Sequence, residues 1–162
     1  MEGFILFEKI VTKILRVMCF IMFLIMTITV FTEVILRYFL HSPIAWSDEL
    51  SRLLLVWVSF LGVTLVHFSK NGHPAVKALI QQFSILTQNK INILINILLL
   101  VSFIFVFNAS LDYTIANVHR VSPVLHYPNA VKYAVVPISM ILMAIKSIFN
   151  IINGIKELHS SH

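Results

Sequence analysis

Charge is what this sequence lacks most. Asp, Glu, Lys and Arg make up 12% of its 162 residues, about half the roughly one quarter found in a soluble domain. Apolar residues take their place, at 59% of the chain and a mean hydropathy of +0.92. They gather into long uncharged runs, which excludes an ordinary soluble domain. The ten-residue alternation of a barrel strand is also missing, so the expectation is an all-α integral membrane protein. Glycine is scarce too: Gly3, Gly62, Gly72 and Gly154 leave no glycine-rich phosphate loop. The lone Cys19 excludes an intrachain disulfide and a CxxC or zinc site, and is read as a small buried apolar residue. There is no HExxH and no Ser or Cys nucleophile motif. Neither an enzyme nor a cofactor is expected.

What is present is a series of about four spans of ~20 residues each. In residues 2–16, Phe4, Phe7, Val11 and Ile14 share one helical face, with Glu8, Lys9, Thr12, Lys13 and Arg16 opposite. That pattern predicts an amphipathic lead-in at the membrane interface. A first span over 17–36 follows, retained rather than cleaved because no small-residue cleavage site closes it. The second span is expected over 47–68, with Ser47 as its N-cap, Trp46 as an interfacial anchor and Gly62 open to close helix approach.

Ser69 to Pro74 breaks the chain, and 74–89 predicts a second interfacial helix. A third span over 91–112 carries Asn92, Asn96, Ser102 and Asn108; a fourth over 133–152 has Pro137 in its first turn and Lys146 near its far end, placed to snorkel. The whole reads as a single membrane domain, 1–162, without internal repeats.

The net charge of +5 reports topology and anionic lipid rather than nucleic acid, because most Lys and Arg flank spans. Eight of the twelve lie at the N-terminus, in the second loop and in the tail. By the positive-inside rule both termini are cytoplasmic.

The segment Arg37–Gly62 departs from this economy of charge. Glu33 and Arg37 are i,i+4 neighbours at the end of the first span, and Asp48 and Arg52 repeat the spacing at the start of the second. Each pair can neutralise itself on a helix. Asp48 and Glu49 are adjacent and point about 100° apart, so they cannot form a paired-carboxylate site. Charge built in at span ends favours a protein-facing surface over a lipid-facing one.

Two other classes compete with an accessory membrane subunit. Seven histidines raise the question of a four-helix haem protein, but His41, His67, His73, His119 and His126 fall at span ends or in loops. A bis-histidine pair across the bundle end is the form that alternative takes. A small homo-oligomeric carrier is the other. It lacks an acid early in the first span, since Glu33 sits at the span end beside Arg37.

The hinge resembles the small membrane (Q-type) subunit of TRAP (tripartite ATP-independent periplasmic) transporters. The family pattern is an arginine–aromatic pair ending the first span, then a tryptophan, an acidic pair and an arginine. A Trp/Gly-containing span and a histidine follow. Here these are Arg37-Tyr38, Trp46, Asp48-Glu49, Arg52, Trp57, Gly62 and His73, with Pro128, Tyr133 and Pro137 matching the later proline–aromatic elements. The family's frequent tryptophan after the late proline is Asn129 here.

The resemblance covers roughly residues 30–140. It implies a subunit that pairs with a large multi-span permease and helps dock a periplasmic binding protein. Uptake of an organic anion, of the sialic acid or C4-dicarboxylate class, would be sodium-driven across the inner membrane. Arg37, Trp46, Asp48, Glu49, Arg52, Gly62 and His73 are the expected interface residues.

Overall fold

A chain in hydrocarbon must satisfy its own backbone polar groups, and the uncharged runs do so as helices. The computed structural model describes residues 2–42, 44–69 and 85–160. Its elements are α1 (Glu2–Phe39), α2 (Ser47–Phe68), α3 (Ile85–Ala116), the short α4 (Asn129–Tyr133) and α5 (Val135–Ser160). No strand occurs among the described residues; Val121 and Pro128 form an isolated antiparallel bridge in the loop after α3. Among the described residues, four segments are long and apolar enough to cross a membrane: Leu6–Phe39, Ser47–Phe68, Thr87–Ala116 and Asn129–His159.

The lead-in and the first span form one uninterrupted helix of 38 residues, about 57 Å long at 1.5 Å per residue. This is nearly twice a hydrocarbon core of ~30 Å. The lead-in does not stand alone, because Phe4 stacks on Phe149 of α5. α1 ends where His41 takes a left-handed φ of 52° and the Ser42 N–H donates to Leu36 O at 3.1 Å. A left-handed residue after the last turn is a common helix stop, and here it brings the Ser42 N–H to a terminal carbonyl that the Leu40 N–H also reaches, at 3.2 Å. Pro43, His73 and the expected interfacial helix up to residue 84 lie outside the described residues.

The break between α4 and α5 has a proline cause. Pro137 has no N–H to donate to the carbonyl four residues back, and its ring crowds that carbonyl. That residue is Tyr133, where α4 ends.

The helices pack in an order that differs from chain order. α3 lies along α5, α5 meets α2, and α2 lies along α1. The α1–α2 seam follows helical spacing: Val11, Leu15, Met18 and Met22 on α1 face Leu61, Trp57 and Leu65 on α2, with Leu15, Leu61 and Val135 buried at the centre. α5 is the most buried span and α3 the least, none of whose most apolar stretch is buried.

Candidate functional site at the hinge

The hinge, the loop 117–128 and α4 meet at one end of the bundle, and Glu49 joins them. From the first turn of α2 its carboxylate accepts the Ser122 hydroxyl. It also accepts the backbone N–H groups of Val124, at 3.1 Å, and Leu125, at 2.9 Å. Three donors from a loop more than 70 residues away thus converge on one side chain. The loop adds bonds of its own: Ser122 N–H to Tyr127 O at 2.9 Å, and Asn129 N–H to Arg120 O at 2.7 Å. His126 adopts a φ of 55° with its Nδ1 2.8 Å from Val124 O. The α2 helix dipole favours a carboxylate at this position as well.

Asp48 goes the other way. Its carboxylate takes both Arg52 Nη2 at 2.8 Å and Arg52 Nε at 3.3 Å, a two-point grip with geometric definition. The pair stands clear of the protein, with side-chain exposures of 65% and 68%. Glu33 and Arg37 pair likewise at the end of α1, the acid largely covered and the arginine exposed. Trp46 is exposed. Trp57, about three turns further along α2, donates its indole N–H to Val131 O at 3.1 Å and so ties α2 to α4.

Two expectations change at the residue level. Ser47 does not cap α2: it is buried, and its hydroxyl donates to Ile44 O at 2.8 Å, while Trp46 holds the N-cap position without a side-chain bond. A Cβ placed on Gly62 would find nothing within 4 Å, so no helix among the described residues closes on it. The close approach is at Gly154, where a Cβ would come within 2.8 Å of Ile93.

Residues 26–157 match the family described as "Tripartite ATP-independent periplasmic transporters, DctQ component". The chain belongs to that family. A TRAP transporter small permease protein of Haemophilus influenzae is 28% identical over 145 residues, covering 90% of this chain and 89% of that protein. A second protein of the same name and organism is 27% identical over 154 residues, covering 95% and 93%. Family membership sets aside the haem and homo-oligomeric carrier alternatives. A small permease subunit is a component of a transporter, not an enzyme.

The chain also holds polar contacts at its other end that sequence reasoning missed. Lys146 does not snorkel. It is buried in α5 and pairs with Glu8 of α1 at 2.8 Å, and its ammonium lies 5.5 Å from the Phe4 ring. His67 Nε2 is 3.0 Å from Ser147 Oγ, with Phe103 edge-on to the imidazole. Asn150 donates to Asn96 at 3.2 Å. The signal for Lys146 was a single cation inside an apolar run, whose partner lies over a hundred residues away.

Proposed function

We propose that this small permease subunit braces a large multi-span permease and offers part of the docking surface for a periplasmic binding protein. The complex would take up an organic anion of the C4-dicarboxylate or sialic acid class, driven by sodium. It would sit in the inner membrane with both termini cytoplasmic. The observation that carries this reading is the division at the hinge. Glu49 holds the loop from within, while Asp48, Arg52, Arg37 and Trp46 face outward. Ion pairs at the membrane edge that serve no contact inside the subunit suit a protein neighbour. The open face at Gly62 and the exposed side of α3 that α5 leaves free suit packing against another membrane protein. His73 is proposed as a contact from the family pattern alone.

Affinity purification of the tagged chain from its own host in mild detergent tests the bracing role. A stoichiometric large polytopic protein is the expected partner, and a solitary chain or homo-oligomer overturns the reading. The pair reconstituted with its binding protein should then accumulate the anion only under an inward sodium gradient. Uptake that ignores sodium overturns the coupling.

A further inference from the structure

An apolar groove of about 360 Å³ runs between α3 and the α4–α5 junction, walled by Phe105, Val106, Ala109, Tyr113, Tyr133 and Val136. Ser110 also borders it, but its hydroxyl is engaged with Phe107 O at 3.0 Å and offers the groove no donor. Ala109 leaves the floor open because it has no side chain beyond Cβ. The missing hydrogen bond at Pro137 falls at the same place, between α4 and α5. At the hinge end, Tyr113 and Tyr133 meet edge-on with centroids 4.8 Å apart.

Two cations flank that tyrosine pair. Lys132 Nζ lies 5.6 Å from the Tyr133 ring centre. Arg120 is brought to the start of α4, three residues ahead of Lys132 on that helix, by its carbonyl's bond to the Asn129 N–H at 2.7 Å. Neither has a carboxylate within ion-pair distance among the described residues. Asp112 is exposed and points about 100° around α3 from Tyr113. The uncharged stretch 91–111 ends beside this point, so the tyrosines and cations stand at interfacial depth.

An apolar slot that ends at aromatic rings and two uncompensated cations has the layout of a lipid: chain below, headgroup above. We propose that this groove is a phospholipid site, with one acyl chain against Ala109 and Val136 and the phosphate of an anionic headgroup between Arg120 and Lys132. Cations near the membrane surface attract anionic lipid. An apolar side chain from a neighbouring helix would fill the slot equally well but leave both charges unmatched. The lipid is a property of this chain, whatever transporter it serves.

The test uses the purified full-length subunit, alone and with its co-purifying partner, in nanodiscs of phosphatidylcholine with or without phosphatidylglycerol. Release into mild detergent and native mass spectrometry then report retained lipid. One phosphatidylglycerol per chain is expected. Replacing both Arg120→Gln and Lys132→Gln, which are surface changes, should lower retention about fivefold or more with unchanged helical circular dichroism. Ala109→Trp should exclude the lipid outright. Equal retention of phosphatidylcholine, or retention indifferent to the two Gln changes, overturns the proposal. So does a cysteine at position 109 that cross-links to a helix of the co-purified partner.

Discussion

Asp48 and Glu49 are chemically alike and adjacent, yet the turn of the helix sends one to solvent and the other to a loop. Arg52→Glu would set a second acid beside Asp48 at the exposed edge and reverse the charge offered to a neighbour. Uptake by the assembled transporter should fall at least about tenfold while membrane insertion stays intact, since exposed ion pairs add little to stability. Unchanged uptake would remove the pair from the interface. Glu49→Gln should act elsewhere. It removes the charge that gathers three donors, so the Val124 and Leu125 amides should exchange with deuterium about tenfold faster. Exchange at wild-type rates would mean that the loop holds its shape without the carboxylate. The i,i+4 pairs at Glu33–Arg37 and Asp48–Arg52 were legible in the sequence because helical spacing is local. The partners of Glu49 and Trp57 were not, because each is set by how distant segments meet.

Among the elements, the glycines of α2 and α5 show why composition alone misplaces a helix crossing. Both are small residues within apolar helices, and only the facing side chain distinguishes them. Gly154 has Ile93 against it, so Gly154→Leu should force α3 from α5 and destabilise the bundle by about 1–3 kcal/mol, read by denaturant titration in detergent. Ile93→Ala in the same chain should restore part of that loss, and a Leu variant as stable as the parent would disprove the crossing. Gly62→Leu has open space before it. It should leave the subunit's own stability within about 0.5 kcal/mol yet reduce recovery of the large partner. Full recovery would show that the α2 face meets lipid. The spans were legible from their apolar runs. The continuity of α1 was not, because an amphipathic lead-in and a span share one helical geometry and only a break between them could be read.

At the scale of the whole molecule, α1 is the outlying helix, joined along its length to α2. Apolar contact gives little driving force for helix association in lipid, so the polar ties decide whether such a row holds. Glu8–Lys146 is the tie between the first helix and the last, with side-chain exposures of 15% and 9%. Its cost and benefit are not symmetrical: two matched charges nearly offset their desolvation, whereas one left alone does not. Lys146→Met, which strands Glu8, should therefore destabilise the subunit by about 3 kcal/mol, and Glu8→Leu by a similar amount. The double variant should recover much of either loss, because two apolar side chains can take the vacated space. Denaturant midpoints for the four proteins measure this directly. Additive losses would mean that the two side chains act separately. α1 would then be held to the bundle by its seam with α2 and by the Phe4–Phe149 stack alone.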